Sequence, residues 1–212
     1  MDSSTDQNDV RRCYDRIAQE FAETRQTPWP EVETFLRGFD RRQLGLDLGC
    51  ANGRHVPALL NRTDHVIGVD VSRNLLTIGN QSIGNRRVHW IQGDAVSIPI
   101  VDEVVDIGLF IATLHHMRHH TQRVAALDDL NRVLARDGRM LISVWSVTHG
   151  RFDVDDLGDQ IVPWTLASGE QIDRYYHIFD QSSFEALLNA SSVTVITTFT
   201  SGGNEYAIVG PG

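Results

Sequence analysis

The stretch from Leu46 to Arg54 reads Leu-Asp-Leu-Gly-Cys-Ala-Asn-Gly-Arg and decides the fold of this 212-residue chain. An apolar run ends at an acidic residue, a turn of small residues follows, and the pattern over 54–60 is helical. A strand, a tight turn and a helix start in this order form the place where open α/β sheets bind nucleotide-like ligands. The stretch therefore predicts an α/β fold with a binding site at the end of its first strand.

The spacing of the glycines in this turn indicates which ligand it binds. A dinucleotide site requires the pattern Gly-x-Gly-x-x-Gly, with a pyrophosphate over the helix N-terminus. Here Ala51 lies between Gly49 and Gly53, and Gly53 comes one position too early for that pattern. A carboxylate at Asp47 would repel a phosphate, whereas it would attract a cation. The turn thus favours a cationic ligand over a dinucleotide.

Two further predicted strands also end beside acidic residues. The segment 65–70 is apolar and ends at Asp70, 23 residues after Asp47, where a carboxylate can accept hydrogen bonds from both ribose hydroxyls. A third strand, Val88–Gln92, is followed closely by Asp94. Any one of these acids could instead cap a helix or face solvent. Three acids at successive strand ends favour the binding-site interpretation.

The segment 46–54 resembles motif I of the class I S-adenosylmethionine-dependent methyltransferases, whose cofactor carries a sulfonium, an ammonium and no phosphate. The resemblance implies a Rossmann-like α/β fold with a seven-stranded, mostly parallel sheet, an antiparallel last strand and helices on both faces. It also implies S-adenosylmethionine as cofactor, with Asp94 near the adenine amino group. This chain has Ala51 where the family usually has glycine, and we expect a small backbone shift that leaves binding intact. The expected cofactor-binding residues are Asp47, Gly49, Cys50, Ala51, Gly53, Arg54, Asp70, Val71, Asp94 and Ala95.

The chain length indicates one domain, residues 1–212. Helical spacing predicts a first helix over Asp9–Thr24 and a second from Pro30 to Arg37, and a capping box of Ser182 and Glu185 opens the last helix. Further strands are predicted at 104–110, 139–145, 193–199 and 205–209, with a short helix at 129–134. The expected parts are a disordered tail over 1–8, N-terminal helices over 9–43, a cofactor-binding core over 44–145, a loop-rich substrate-side insertion over 146–180, and a C-terminal helix and hairpin over 181–212.

The charge composition indicates the solvent in which this protein works. The net charge is −9, all 19 basic residues are arginine, and 20 of the 28 acidic residues are aspartate. Such a surface suits a cytosol at molar salt, where the Debye length is about 3 Å. We therefore expect a halophilic, archaeal source, although a GC-rich codon bias also depletes lysine. The polar N-terminus, the two cysteines and the absence of a long apolar run lead us to expect a cytoplasmic protein with no membrane span.

Three stretches are richer in polar and aromatic residues than a fold requires. They are Arg25–Pro30 after the first helix, His115–His120 after the fourth strand, and Arg174–Phe179 before the last helix. In an open α/β sheet the carboxyl ends of the strands lie at one edge. We expect all three stretches to converge there, above the methyl group of the cofactor.

The same stretches carry a more specific resemblance. Arg25-x-x-Pro-Trp-Pro, Leu114-His-His, Val144-Trp and Arg174-Tyr-Tyr-His-x-Phe, with motif I, look like the tRNA wobble-uridine carboxymethyl methyltransferases. These enzymes methylate 5-carboxymethyluridine at the first anticodon position to the methyl ester. The resemblance covers nearly the whole chain. It implies a tRNA substrate and a small zinc-binding activator subunit as partner in a heterodimer.

The resemblance assigns roles that fit the chemistry of a carboxylate acceptor. The acceptor is already ionised at neutral pH, so its methylation requires positioning and a dry site and no general base. An arginine fork is the natural carboxylate holder, and an aromatic ring could stack on the uracil. Each of these side chains could also serve only surface ion pairs or packing. The expected catalytic residues are Arg25, His116, Arg174, Tyr175 and His177, and the expected substrate-binding residues are Trp29 and Arg118.

Two alternative functions remain open on the sequence, and a metal site is a third interpretation to consider. A small-molecule methyltransferase, for example of a quinone ring, would use His115 or His116 as a general base. A non-enzymatic partner that has kept the fold is a second alternative, although the three strand-end acids speak against it. The i, i+4 histidines over His115–His120 could suggest a metal site, but no cysteine or acid completes a ligand set nearby, and we predict none.

The predicted third strand also indicates a partner surface. Val88–Gln92 should be a sheet edge and carries no charge in an otherwise acidic protein. We expect the activator subunit to add a strand or loop there, against Trp90. The alternative is that Arg86, Arg87 and sheet twist protect the edge.

Overall fold

The computed structural model describes the backbone over residues 3–212 and the side chains from Asp9 onward. The described residues form nine strands and six α-helices. The strands are β1 (Arg42–Leu48), β2 (Thr63–Asp70), β3 (Val88–Gln92), β4 (Val105–Ile111), β5 (Leu134–Trp145), β6 (Gly158–Thr165), β7 (Gln171–Ile178), β8 (Thr194–Ser201) and β9 (Asn204–Gly210). The helices are α1 (Ser3–Glu23), α2 (Pro30–Arg37), α3 (Val56–Leu60), α4 (Arg73–Ile83), α5 (His120–Val133) and α6 (Gln181–Asn189).

Seven strands form one sheet in the order β3-β2-β1-β4-β5-β9-β8. The pairs from β3 to β5 are parallel, and β9 is antiparallel to both of its neighbours. This confirms the predicted seven-stranded, mostly parallel sheet with an antiparallel last strand. The strand order reverses beside β1, so the turn after β1 lies at the switch point where such sheets bind ligands.

Apolar side chains on both faces hold the sheet between two helical layers. Leu46 and Leu48 of β1 pack in a core with residues of α5 and α6. On the other face, Ile107 and Leu109 of β4 pack with α2 and α3. Parallel strands need helices on both faces, because their backbone groups and apolar side chains are buried on both sides.

The segment predicted as a loop-rich insertion contains a β-hairpin. Strands β6 and β7 pair in register from Gly158↔Ile178 to Thr165↔Gln171 and form a separate two-stranded sheet. Only Val162 of β6 is buried, and Pro163 lies inside the strand. Pro163 interrupts the short apolar run 161–164, and a proline inside such a run argues against a strand, so the prediction of a loop there was wrong.

Two helix starts also differ from the prediction. Helix α1 begins at Ser3, so the backbone is helical from that residue where a disordered tail was expected; Met1 and Asp2 lie outside the described residues. Helix α6 is capped by Asp180, whose carboxylate accepts a hydrogen bond from the Ser183 N–H at 2.8 Å, and the predicted Ser182 box does not form. Aspartate and serine are equally good N-caps, so sequence alone cannot choose between neighbours.

Helix α5 is much longer than the predicted segment 129–134 and begins at His120. It brings the end of the histidine stretch onto a helix start beside the carboxyl edge of the sheet.

No helix among the described residues is long and apolar enough to span a membrane.

Candidate functional site

A cavity lies at the carboxyl edge of the sheet, above the ends of β1, β2 and β4. The turn after β1, residues of α1, the short 3₁₀ turn Leu114–His116 and strand β7 form its walls. Thirteen of the predicted site residues line it: Arg25, Trp29, Gly49, Cys50, Ala51, Arg54, Asp70, Val71, Asp94, Ala95, His116, Arg118 and Arg174. Four predicted residues, Asp47, Gly53, Tyr175 and His177, are not part of its lining.

The backbone of the turn explains its small residues. Gly49 has φ +68°, and a Cβ there would lie 2.2 Å from Thr113 Oγ1. Gly53 has φ +76°, and a Cβ there would lie 2.3 Å from a ring carbon of Trp90. Ala51 is left-handed as well, at φ +50°, although it carries a Cβ. The turn therefore keeps the strained geometry without the glycine usual at 51, and the amide of Ala51 has a fixed partner.

That partner is Asp70. Its Oδ2 accepts a hydrogen bond from the Ala51 N–H and its Oδ1 accepts one from the Ser72 N–H, both at 2.8 Å. Burial raises the pKa of Asp70 to about 6, while the two amide hydrogen bonds act in the opposite direction. Asp94 is arranged similarly: its Oδ1 accepts from the Val96 N–H at 3.1 Å, and burial raises its pKa. Both carboxylates keep lone pairs for the hydroxyl and amino groups of a nucleoside.

Asp47 lies below the turn and is 1% exposed. Its Oδ2 has no hydrogen-bond partner among the described residues. Burial raises the pKa of Asp47 to about 7, although the charge of Arg54 opposes this shift. A buried carboxylate with an unmet oxygen is stabilised by a nearby cation. This region therefore fits the sulfonium and ammonium of S-adenosylmethionine, with Asp70 and Asp94 on the adenosine side.

His116 is fully engaged in hydrogen bonds. Its Nδ1 lies 3.1 Å from the Tyr175 carbonyl oxygen, and its Nε2 lies 2.8 Å from the Tyr14 hydroxyl. Because a carbonyl oxygen only accepts, Nδ1 carries the proton and Nε2 accepts from Tyr14. Loss of hydration lowers the pKa of His116 to about 4. The imidazole is thus neutral, and neither nitrogen is left to act as a base.

Arg174 is a buried cation in the cavity wall. It is 6% exposed, and its guanidinium carbon lies 5.1 Å from the Trp164 ring centre and 5.2 Å from the Tyr176 ring centre. Its Nε donates to the Val162 carbonyl at 3.3 Å. Among the residues with described side chains, no carboxylate forms an ion pair with it. The terminal nitrogens of a sandwiched, uncompensated guanidinium suit an anionic ligand.

Arg25 is a second arginine in the cavity lining. Its guanidinium lies over the Phe21 ring at 5.1 Å and donates to the Thr24 carbonyl. Burial raises the pKa of Tyr176, and the charges of both Arg174 and Arg25 act against that shift. The charges of both arginines thus act on the Tyr176 hydroxyl group, which burial keeps neutral.

Tyr175 and His177 lie on the opposite face of β7. Both bond to Asp159 Oδ1, the tyrosine hydroxyl at 2.5 Å and the His177 Nδ1 at 2.6 Å. Alternate side chains of a strand point to opposite faces, so Arg174 and Tyr176 face the cavity and their neighbours face away. Tyr175 and His177, both predicted as catalytic residues, therefore lie outside the cavity lining and bond to Asp159 instead. Arg118 lines the cavity, and its guanidinium carbon also lies 4.5 Å from the centre of the Tyr175 ring.

Trp29 lies in the cavity wall and also packs against neighbouring aromatic rings. It lines the cavity, and the Arg54 guanidinium lies 4.7 Å from its ring centre. Its ring also meets those of His55 and Tyr206 edge-on, at 6.2 and 6.4 Å. The side chain thus joins the start of α2 to the sheet while one part of it faces the ligand space.

Several residues of the site escaped the sequence analysis. Tyr14 of the first helix and Tyr176 of β7 line the cavity, although no role was predicted for either. Strand periodicity would have selected Tyr176 together with Arg174. Asn52 Nδ2 donates to the Arg25 carbonyl at 2.9 Å and ties the α1–α2 connection to the turn. Asp15 Oδ1 accepts from Ser72 Oγ at 2.7 Å, which ties α1 to α4. Such contacts between distant segments leave no local sequence signal.

The histidine stretch does not gather metal ligands. Among the residues whose side chains the structure describes, no group of three histidine, cysteine or acidic residues is placed to hold an ion. His115 is 1% exposed, accepts from the Trp145 N–H at 3.3 Å and stacks on Tyr176 at 4.8 Å. It therefore lies in the cavity wall itself, packed against the ring of Tyr176.

Comparison with known proteins agrees with this geometry. A family model described as a methyltransferase domain matches residues 46–142. A tRNA (carboxymethyluridine(34)-5-O)-methyltransferase of Schizosaccharomyces pombe is 28% identical over 210 residues, covering 88% of this chain and 89% of the relative. The Xenopus tropicalis protein of that name, alkbh8, is 35% identical over 145 residues, covering 68% of this chain and 22% of the relative. The chain thus spans most of the yeast protein but about a fifth of the animal one.

Solved structures extend the likeness in fold. The DhpI–SAH complex has a TM-score of 0.74 at 18% identity and covers 97% of both chains. A methyltransferase in complex with the Haloferax volcanii Trm112 methyltransferase activator has a TM-score of 0.69 at 14% identity, covering 96% of this chain and 98% of that one. The similarity extends over the N-terminal helices as well as the sheet.

Proposed function

This chain belongs to the class I S-adenosylmethionine-dependent methyltransferases, and on that premise we propose that it methylates the carboxymethyl group of the wobble uridine in tRNA. The product would be the methyl ester. The names of the relatives support the substrate, and the observation that carries the proposal is the buried, uncompensated guanidinium of Arg174 in the cavity wall.

The chemistry requires little from an acid or base. The cofactor supplies an electrophilic methyl group on a sulfonium, and the acceptor carboxylate, with a pKa of about 4, is ionised at neutral pH. Charge is neutralised as the bond forms, so a site that excludes water favours the transfer. His116 is neutral, and both of its ring nitrogens are hydrogen-bonded. This supports transfer to a carboxylate over transfer to a hydroxyl group, which would need a histidine base.

Arg174 would hold one oxygen of the acceptor and leave the other facing the methyl group. An unpaired buried charge costs several kcal/mol, which an incoming carboxylate would offset. The rings of Trp164 and Tyr176 fix the guanidinium plane, so the fork is oriented before the substrate arrives. Arg25 would be the second cation, and Trp29 would stack on the uracil.

The proposed partner is a small zinc-binding activator subunit at the edge strand Val88–Gln92. Strand β3 is the edge of the sheet, which supports this assignment. Trp90 packs its ring against Gly53 of the cofactor turn and against Gly79 of α4. A strand added to this edge would therefore press, through Trp90, on the turn that binds the cofactor.

Labelled methyl transfer tests the proposal. Wild-type protein, with and without an archaeal Trm112-type activator, is incubated with labelled S-adenosylmethionine and tRNA that contains carboxymethyluridine. We expect the tRNA to carry label that mild base releases, because a methyl ester hydrolyses in base. Nucleoside analysis should identify the labelled nucleoside as the methyl ester. Label on tRNA that lacks the carboxymethyl group, or none on tRNA that has it, would contradict the assignment.

Substitution of Arg174 tests the residue that carries the proposal. Arg174→Lys keeps the charge but loses the planar fork, so we expect turnover to fall about tenfold or more while cofactor affinity changes little. Arg41→Lys is the matched control, because Arg41 pairs with Asp64 on the exposed surface at 2.6 Å. Equal turnover of the two variants would show that the Arg174 guanidinium fork does not contribute to the reaction.

A further inference from the structure

His55 is a buried histidine whose ring has no hydrogen bond. It is 4% exposed and lines the cavity, and neither Nδ1 nor Nε2 has a partner among the described residues. It precedes α3 but its side chain does not cap that helix. Buried polar side chains in native proteins nearly always have partners, so an imidazole with two unmet nitrogens indicates a missing ligand group.

The surroundings of His55 define what that group can be. Burial and the charge of Arg54 lower the pKa of His55 to about 3, so the ring is neutral and offers one donor and one acceptor. The Trp29 ring covers one side of it at 6.2 Å. Asp47, with its own unmet oxygen, interacts with the neighbouring Arg54. The corner thus holds a cation, a carboxylate and a neutral donor–acceptor ring.

The position of this corner follows from the strand order. Asp70 ends β2 and Asp94 follows β3, which favours the nucleoside end of a ligand on that side of the sheet. The turn after β1 lies in the next strand position, and His55 follows that turn directly before α3, in the cavity lining and beside Trp29. An extended nucleoside derivative that crosses the turn would therefore reach His55.

We propose that His55 recognises the α-amino-acid end of the methyl donor, donating one N–H to its carboxylate beside Arg54. The ammonium of the same end lies toward Asp47. A carboxylate accepts and an ammonium donates, so a zwitterion meets both the donor and the acceptor of a neutral ring. His55 is thus a specificity residue that separates a complete donor from a nucleoside thioether that lacks the amino-acid group. The inference concerns the cofactor alone and does not depend on the tRNA substrate.

Binding calorimetry without tRNA tests this inference. S-adenosylhomocysteine, which carries the amino-acid end, and 5′-methylthioadenosine, which lacks it, are titrated into wild type, His55→Phe and His55→Gln. We expect His55→Phe to lower the affinity for S-adenosylhomocysteine about tenfold, as for a lost hydrogen bond to a charged group. The affinity for 5′-methylthioadenosine should fall less than about twofold. His55→Gln offers a donor and an acceptor and should recover part of the loss.

The stability of the ligand-free protein separates recognition from structure. Phenylalanine fills the same space without unmet polar atoms, so the melting temperature of ligand-free His55→Phe should equal or exceed that of wild type. An equal loss of affinity for both ligands, or no loss of affinity for S-adenosylhomocysteine, would overturn the inference. If His55→Phe does not fold, the His55→Gln variant serves to assign the ring resonance of His55 in the wild-type NMR spectrum. That resonance must then move with S-adenosylhomocysteine and stay in place with 5′-methylthioadenosine.

Discussion

At the scale of single residues, Asp47 shows why the turn favours a cationic ligand. The acid lies at the end of β1 with one oxygen unbonded, and burial raises its pKa to about 7 from the ordinary 3.8. A carboxyl group whose pKa is raised by folding stabilises the native state only while it is protonated. Its contribution is therefore present at low pH and is lost as the pH rises through about 7.

Asp47→Asn isolates this contribution from those of the other titrating groups. The melting temperature of the variant minus that of wild type, both ligand-free, should grow between about pH 4 and pH 7 and level off above. The corresponding difference in the free energy of unfolding has a limit of about 4 kcal/mol for a shift near three pKa units. Melting curves across that range give the measurement. S-adenosylhomocysteine brings an ammonium to the wild type, so it should reduce the difference. A difference that stays constant with pH would mean that Asp47 is ionised throughout.

At the scale of elements, α1 is held over the cavity by a few polar contacts. Asp15 Oδ1 accepts from the Ser72 hydroxyl and from the Asn74 N–H at 3.0 Å, and Asn74 Nδ2 donates to the Asp15 carbonyl at 2.9 Å. The side chains of Tyr14 and Phe21 on the same helix line the cavity. The position of this wall thus depends on the contact between α1 and the start of α4.

Asp15→Ala removes the side-chain part of this contact. We expect S-adenosylhomocysteine to bind about threefold to tenfold more weakly, because α1 must then be ordered by the ligand itself. Limited proteolysis should cleave the ligand-free variant faster in the segment 24–29. Glu23→Ala is the control, since Glu23 is an exposed residue of the same helix that accepts a bond from Gln19. Equal affinities of the two variants would show that other contacts hold α1.

The same scale explains what could be predicted from the sequence. The acids after β1, β2 and β3 were identified because parallel strands give continuous apolar runs that end at one edge. The hairpin β6–β7 was missed because Pro163 interrupts the short apolar run of β6, and a proline within such a run argues against a strand. Within the segment 174–179, Tyr176 lines the cavity and Tyr175 does not, because neighbouring residues of a strand point to opposite faces. Register depends on packing partners that are distant in the chain.

At the scale of the whole molecule, the charge composition governs stability. The net charge is −9, with no lysine among the 19 basic residues. Ion pairs among the described residues, such as Arg132 with Asp102 and Asp129, neutralise only part of the acidic surface. The remaining carboxylates repel one another, and this repulsion extends over a Debye length, about 10 Å at 0.1 M salt and 3 Å at 1 M.

Salt should therefore stabilise this protein. We expect the melting temperature to rise by several degrees between about 0.1 M and 1 M KCl, as repulsion in the compact state is screened. The double variant Asp40→Asn, Asp137→Asn removes two exposed acids and lowers the net charge from −9 to −7. If screening is the cause, the variant should start with a higher melting temperature at low salt and gain less from added KCl. Equal gains for both proteins would indicate that salt acts through exclusion from apolar surface, and a fall in the wild-type melting temperature would mean that its ion pairs outweigh its repulsion.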